Sequence, residues 1–188
     1  MKIEEIHRKQ QNFFSSNATK EVKFRIAQLK KLKRILKTNE DLLYKAIYED
    51  FKKSEFETYT TEISQVYQEI NLFINNIKNW SKPKRVATGL VNFPAKSYII
   101  PEPLGVTLVI GAWNYPYLIG VNVFIPALIA GNTVFYKPSE YTTLTGLKIT
   151  ELLHQSGIPR DAFDIALGAG DIGEALLQLP FDGFYFTG

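Results

Sequence analysis

The sequence predicts an α/β protein, in which a Rossmann-like parallel sheet of order βαβαβαβ follows an N-terminal helical segment. Two observations support this prediction. Between residues 19 and 80, apolar side chains recur every three or four positions, which is the period of an amphipathic helix. From residue 106 onward, short apolar runs alternate with helical patterns, as they do in parallel sheets with right-handed crossovers.

The first part of the chain, residues 1–85, should form helices that pack on the following domain. Helical patterns cover residues 19–37, 39–53 and 55–80. The basic run at 30–34 lies inside the first pattern, and we interpret it as a solvated helix face. It carries neither stacking aromatic residues nor a known binding motif, so we expect no nucleic-acid partner.

Residues 86–103 are expected to form an extended arm, for which a role in oligomerisation is proposed; residues 96–100 have strand propensity. Residues 104–188 should then contain the sheet. Its strands are predicted at 106–110, 133–136, 163–167 and 183–186, and its helices at 117–130, 142–155 and 172–179. Pro126 lies inside the first of these helices and is expected to kink it.

Composition excludes several kinds of site. The 188 residues include 22 Lys and Arg, 19 Asp and Glu and no cysteine. This chain therefore has no disulfide, thiolate metal site or cysteine nucleophile of its own. The two histidines, His7 and His154, are far apart in sequence, so we expect no zinc site and no other metal. The charge is uneven, with 18 basic and 11 acidic residues in 1–85 against 4 and 8 in 86–188.

The sequence also bears on location. The first residues are polar and lack the apolar region of a signal peptide. Residues 103–136 carry no charged side chain, but a spanning helix needs about 20 uninterrupted apolar residues. Here the apolar stretch is broken by polar residues and prolines: Asn114, Pro116, Asn122 and Pro126. We expect no integral membrane segment and a cytoplasmic location.

A glycine pattern marks a candidate phosphate site. Gly168, Gly170 and Gly173 fit the spacing G-x-G-x-x-G between a predicted strand and a predicted helix. This pattern lets a pyrophosphate rest on a helix N-terminus. It follows the third strand of the unit, not the first, and a tight β–α turn explains it equally well.

Polar and aromatic residues follow successive strands of the predicted sheet. Ligands of parallel sheets bind beyond the carboxyl ends of the strands. Those ends carry Trp-Asn-Tyr-Pro at 113–116, Lys-Pro-Ser-Glu at 137–140, the glycine pattern at 168–173 and Phe-Thr-Gly at 186–188. We expect the four groups to lie together at one edge of the sheet.

These motifs, with Pro-Leu-Gly-Val at 103–106 and Ala-Gly-Asn at 130–132, resemble the NAD(P)-dependent aldehyde dehydrogenase superfamily in order and spacing. The short N-terminus and residues 101–105, with Trp-Asn-Tyr-Pro, are similar to its class 3 branch, the fatty-aldehyde and benzaldehyde type. The resemblance is specific from about residue 101 to 188 and looser over the N-terminal helices.

The resemblance implies a cofactor site for NAD, with NADP left open. Lys137 and Glu140 match the pair that holds the adenosine ribose, and a carboxylate there would repel a 2′-phosphate, which favours NAD. The other positions expected to contact the cofactor are Ile110, Ala112, Trp113, Ser139, Gly168, Gly170, Phe186, Thr187 and Gly188.

The resemblance also implies one catalytic role in this part of the chain. Asn114 matches the asparagine whose amide stabilises the oxyanion formed from the aldehyde, an effect worth about 3–4 kcal/mol. Tyr115 is expected to line the entrance for the aldehyde substrate; simple packing is its alternative role. The intact enzyme is expected to form a homo-oligomer, a dimer.

The chain ends at Gly188, inside the family's phosphate-contacting motif, and the family's catalytic cysteine and glutamate lie beyond that point. We therefore expect an incomplete domain, no catalytic domain, and no aldehyde oxidation by this chain alone. A non-catalytic nucleotide-binding or interaction module that reuses the fold is the alternative. An acyl-reductase relative of the superfamily is a third possibility.

Overall fold

The computed structural model describes residues 2–188. Five helices precede the first strand: α1 (Ile3–Ser15), α2 (Val22–Thr38), α3 (Glu40–Phe51), the short α4 (Glu55–Thr58) and α5 (Ser64–Trp80). A π-helical turn, Tyr59–Ile63, joins α4 to α5. Two short strands, β1 (Lys84–Val86) and β2 (Ser97–Ile99), then form an antiparallel pair.

The remaining elements form a four-stranded parallel sheet with its crossover helices. They are β3 (Val106–Ile110), α6 (Leu118–Ala130), β4 (Thr133–Lys137), α7 (Thr143–Gln155), β5 (Phe163–Ile165), α8 (Gly170–Leu177) and β6 (Gly183–Phe186). The strand order is β5-β4-β3-β6, and all neighbours are parallel. The predicted α/β fold, with a parallel sheet after N-terminal helices, is confirmed.

Helices cover both faces of the sheet. On one face, α6 and α7 pack with α2, α3 and α5 around Val109, Val134 and Tyr136. On the other face, α1 and α8 pack against Leu108 and Phe135. All five residues of β4 are buried, as expected for a central strand with a helix layer on each side.

The chain reverses direction across the sheet at β3. From β3 it steps outward to β4 and then β5, and α8 returns it to the opposite side of β3. In such open sheets the crevice at the reversal, beyond the carboxyl ends of the strands, is where ligands bind. The crevice here lies between β3 and β6.

Several elements differ from the sequence predictions. Residues 3–15, where no separate helix was predicted, form α1. The stretch predicted as one helix at 55–80 contains a π-helical turn. In the predicted arm, β2 agrees with the strand propensity, but its partner β1 begins at Lys84, inside the segment assigned to helices. The helix α6 continues past Pro126 to Ala130. No helix within residues 2–188 is both long enough and apolar enough to cross a bilayer.

Candidate functional site

Three predicted site residues form one row at the carboxyl ends of neighbouring strands. Phe186 of β6 pairs with Ile110 of β3, which pairs with Lys137 of β4. Backbone hydrogen bonds continue one residue beyond this row: Gly111 N–H donates to the Lys137 carbonyl at 3.0 Å, and Thr187 N–H donates to the Ile110 carbonyl at 3.1 Å. The segments that follow β3 and β6 are therefore hydrogen-bonded to the neighbouring strand where they begin, at the same end of the sheet.

A cleft of about 430 Å³ opens beside this row. Five of the predicted cofactor residues line it together, namely Ile110, Lys137, Glu140, Gly170 and Phe186. Its remaining lining comes from α8 and β6: Gly173, Glu174, Leu177, Phe184 and Tyr185. The cleft is thus largely apolar, with one ammonium and two carboxylates at its surface.

Lys137 and Glu140 form the charged part of the cleft. The Lys137 side chain is buried, and its Nζ donates to the Pro138 carbonyl at 3.2 Å. Nζ lies 3.6 Å from Glu140 Oε2, while the Glu140 side chain is 42% exposed. A buried ammonium carries three donors. These two contacts leave donor capacity for a ligand, and the exposed carboxylate is free to accept.

The glycine turn shapes the other side of the cleft. Gly168 has a φ of +151°, and a Cβ there would overlap Ile172, so both backbone and space require glycine. A Cβ on Gly170 would meet nothing within 4 Å, which leaves open space at the start of α8. Gly170, Gly173, Glu174 and Leu177 share one face of α8, since they are spaced at i, i+3, i+4 and i+7.

The loops after β3 and β4 touch each other through aromatic rings. Trp113 is 47% exposed and meets the ring of Tyr141 edge-on, with centroids 6.5 Å apart. Ala112 is buried beside it. Ser139 is buried too, and its Oγ accepts from the Tyr141 N–H at 3.3 Å, so it caps the short 3-10 turn Glu140–Thr142.

Asn114 lies in the loop between β3 and α6, and its side chain is exposed. Its backbone carbonyl accepts from Lys53 Nζ at 3.1 Å. The same ammonium lies 4.3 Å from the centroid of the Tyr115 ring, a cation–π contact. The loop that carries Asn114 and Tyr115 is therefore held by a residue of the N-terminal helical segment.

The partner of Lys53 is Glu62, in the π-helical turn. Lys53 Nζ lies 2.7 Å from Glu62 Oε1, and both side chains are buried. Glu62 Oε2 accepts from the N–H groups of Tyr117 and Leu118, at 2.9 and 3.0 Å, at the N-terminus of α6. A carboxylate there also interacts favourably with the helix dipole.

Two buried tyrosines, Tyr117 and Tyr136, lie close to the loop between β3 and α6. Burial raises the pKa of Tyr117 and of Tyr136 well above the usual range, and the Glu62 carboxylate adds to the effect at both. A Cβ on Gly111 or Gly120 would lie 2.9 or 2.5 Å from the Tyr136 hydroxyl oxygen. The small residues at 111 and 120 therefore let the ring fill the space under the Asn114 loop.

Sequence reasoning missed four residues of this region. Glu174 and Leu177 line the cleft from α8 and lie inside the helix predicted at 172–179; extending the helical spacing i, i+3, i+4, i+7 from Gly170 would have found them. Lys53 and Glu62 are nine residues apart and carry no sequence signal that links them to residues 114–118. Among the predicted cofactor residues, Ala112, Trp113, Ser139, Gly168, Thr187 and Gly188 do not line the cleft.

Comparison with known proteins assigns the family. The model of the aldehyde dehydrogenase family matches residues 1–188. The chain belongs to the aldehyde dehydrogenase family. It is 38% identical over 176 residues to the 4,4′-diaponeurosporen-aldehyde dehydrogenase of Staphylococcus aureus (strain NCTC 8325 / PS 47), a match that covers 94% of this chain and 38% of that protein. Aldehyde dehydrogenase family 3 member H1 of Arabidopsis thaliana is 38% identical over 175 residues, a match that covers 93% of this chain and 36% of that protein.

Solved aldehyde dehydrogenases have the same fold. The substrate-bound state of Staphylococcus aureus AldH superposes with a TM-score of 0.92 at 36% identity, over 99% of this chain and 40% of that one. The P449M point mutant of betaine aldehyde dehydrogenase from Staphylococcus aureus, solved in complex with NAD+, superposes with a TM-score of 0.82 at 25% identity, over 92% of this chain and 35% of that one.

The predicted resemblance to class 3 aldehyde dehydrogenases is confirmed by the family 3 relatives. The chain spans 38% and 36% of the two sequence relatives described above, so it corresponds to the N-terminal portion of an aldehyde dehydrogenase.

Proposed function

We propose that these 188 residues form the first part of an NAD-binding domain and supply the oxyanion-stabilising asparagine for oxidation of an aldehyde to a carboxylic acid. The observation that carries this proposal is the cleft beside the row Phe186–Ile110–Lys137, at the point where the sheet order reverses. One cleft there unites the ammonium of Lys137, the carboxylate of Glu140 and the open start of α8.

The described residues fit the adenosine half of NAD. The Glu140 carboxylate is half-exposed and can accept from both hydroxyls of a ribose, while Lys137 Nζ is held close to it and can donate to the same sugar. The missing side chain at Gly170 leaves room for a ligand against α8. The apolar lining from Ile110, Leu177 and Phe186 suits a flat base.

Asn114 is the residue of this chain that we assign to the reacting carbonyl. Its side-chain amide can donate to the aldehyde oxygen, and such a donor stabilises the negative charge that develops there. Tyr115 and Trp113 flank it on the same loop, and we assign Tyr115 to the substrate entrance.

When bound, NAD would serve as the acceptor of the hydride that leaves the aldehyde carbon. The 188 residues contain no cysteine to act as nucleophile. We therefore propose that this chain alone does not oxidise aldehydes, and that its isolated function is dinucleotide binding. A dimeric assembly and a cytoplasmic location stay predictions from the sequence. NADH formation by the purified chain would contradict the proposed lack of activity.

Calorimetric titration with NAD, NADP and AMP tests the cofactor assignment. Replacing Glu140 by Gln should weaken NAD binding by about 1–3 kcal/mol, because a charge-assisted hydrogen bond to the ribose is lost. The same change should reduce the difference in affinity between NAD and NADP, because it removes the repulsion between the Glu140 carboxylate and the 2′-phosphate of NADP. AMP should compete with NAD, since the described cleft corresponds to the adenosine end.

Glu174→Gln is the matched control, since Glu174 also lines the cleft but lies on α8. This variant should not weaken NAD binding, because the Glu174 carboxylate that it removes faces a ligand with negatively charged phosphates. Equal losses for the two variants would point to a general charge effect and refute the ribose role of Glu140. If neither dinucleotide binds at millimolar concentration, this chain does not act as a cofactor domain, and the alternative of an interaction module gains support.

A further inference from the structure

The ion pair Lys53–Glu62 is unusual in this molecule because both of its side chains are buried. They are 2% and 0% exposed, whereas every other ion pair given by the structure over residues 2–188 has at least one partner that is more than a quarter exposed. Taking two charges out of water costs several kcal/mol per ion, and such pairs are often no more stabilising than apolar residues of the same volume. Stability alone therefore does not explain its presence.

Both members of the pair also bind the loop between β3 and α6. Lys53 Nζ donates to the Asn114 carbonyl at 3.1 Å, and Glu62 Oε2 accepts from the amides of Tyr117 and Leu118 at 2.9 and 3.0 Å. These contacts flank Pro116 and fix the backbone on each side of it. The ammonium also lies over the ring of Tyr115.

The position of the Asn114 side chain depends on this backbone. The side chain is exposed, and the hydrogen bond described for Asn114 is made by its backbone carbonyl. A donor for a developing oxyanion must be held in place before the reaction, since a displacement of about 1 Å can cost about 100-fold in rate.

We propose that Lys53 and Glu62 are positioning residues for Asn114: the buried pair anchors residues 114–118 and so holds the Asn114 amide where the aldehyde oxygen will be. The pair touches neither the aldehyde nor the cofactor and acts through the loop. This inference rests on the function proposed above for Asn114.

The first test uses this chain and needs no enzymatic activity. The double variant Lys53→Met/Glu62→Gln removes the ammonium, leaves no unpaired buried charge and keeps an amide oxygen to cap α6. The Ile119 amide donates to the Tyr115 carbonyl at 3.0 Å and reports on order in the loop. Its hydrogen exchange should accelerate about tenfold or more, since the double variant removes hydrogen bonds that charged groups make to the loop. Trp113 fluorescence, read in a Trp80→Phe background, should become more accessible to a quencher.

Thr19→Val is the matched control. Thr19 is buried, and its Oγ1 donates to the Gly131 carbonyl at 2.7 Å, at the opposite end of α6. This variant also loses a buried hydrogen bond from the N-terminal segment to α6, but it leaves the Asn114 loop untouched. Exchange at Ile119 should stay as in the parent chain. Unchanged exchange in the double variant, or equal acceleration in the control, would overturn the proposal.

The second test links the loop to catalysis. It uses the 188 residues joined to the C-terminal part of the 4,4′-diaponeurosporen-aldehyde dehydrogenase of Staphylococcus aureus. The double variant should lower kcat for aldehyde oxidation by about 10- to 100-fold, with the KM for NAD within about twofold of the parent value, and Thr19→Val should leave both constants near the parent values. A kcat that is unchanged, or that falls equally in both variants, would refute the positioning role. A joined parent that binds NAD but does not oxidise aldehydes would instead contradict the proposed function, and the exchange experiment would still decide whether the pair orders the loop.

Discussion

The backbone of Gly168 shows how a single position can fix the turn that leads into a helix lining a cleft. Its φ of +151° is one that residues with a side chain rarely adopt, and its missing Cβ leaves room for Ile172. Gly170, two residues on, has an ordinary backbone conformation and open space around it. The two glycines of the same pattern therefore have different physical roles.

Gly168→Ala should destabilise the chain by about 1–3 kcal/mol, because it forces a strained backbone and an overlap with Ile172. Gly170→Ala should be neutral or stabilising by up to about 1 kcal/mol, because alanine is the better helix former at the start of α8. Urea unfolding of both variants checks the pair. Similar urea midpoints for the two variants would show that the fold does not require glycine at position 168.

Residue roles could be predicted where a short motif carries them. Lys137 and Glu140 are three residues apart at a strand end, and the structure places both on one cleft. Lys53 and Glu62 could not be found in this way, because their meeting with residues 114–118 depends on a π-helical turn and on packing between distant parts of the chain. The row Phe186–Ile110–Lys137 likewise needs the sheet register, which the sequence does not state.

Helix α1 lies inside the predicted helical segment, residues 1–85, but no helix bounds were predicted for it. Most of its side chains are polar, and few of them reach the core: Ile6, His7 and Gln10 are the buried ones. It packs against β3 and β4, and Gln10 Nε2 donates to the Val134 carbonyl at 2.6 Å. The strands and helices after residue 105 were predicted well because they are strongly apolar and separated by glycine and proline.

Docking of α1 should depend on pH through His7. The His7 ring is buried and meets Phe181 edge-on at 4.7 Å. Burial lowers the pKa of His7 below its ordinary value of 6.5, while the Pro180 backbone and the Asp182 carboxylate oppose this shift. The neutral ring is the form that the folded chain favours, so the unfolded chain binds the proton first as the pH falls.

The free energy of unfolding should therefore be highest above pH 6.5 and should decrease as the pH falls below it towards the folded pKa, by at most about 1.4 kcal/mol per pH unit for one group. Denaturant unfolding of the parent and of His7→Phe between pH 7.5 and about 5 measures this. The variant cannot take up the proton and should lose this part of the slope. Equal slopes in the two proteins would exclude His7 as the cause.

At the scale of the whole molecule, two of the regions that expose large apolar side chains are candidate surfaces for association. The arm between β1 and β2 exposes Leu90 by 92% and Val91 by 98%. One of the two outer strands of the sheet, β6, pairs with β3 on one side, and its Phe184 and Phe186 are 57% and 69% exposed. Exposed apolar patches and unpaired strand edges are surfaces on which other chains associate.

We therefore predict that the purified 188-residue chain self-associates with increasing concentration, and that the two regions can be separated by charge substitutions. Val91→Asp places a charge in the arm, and Phe184→Lys places one on the edge strand, where lysine is a natural guard against pairing. Both positions are well exposed, so neither change should weaken the core. Sedimentation velocity over a concentration series identifies the surface that mediates association, since its variant shifts the distribution towards monomer. Association through the arm would support the predicted role in oligomerisation, association through β6 would show that the open sheet edge dominates, and a parent chain that stays monomeric throughout would contradict the prediction.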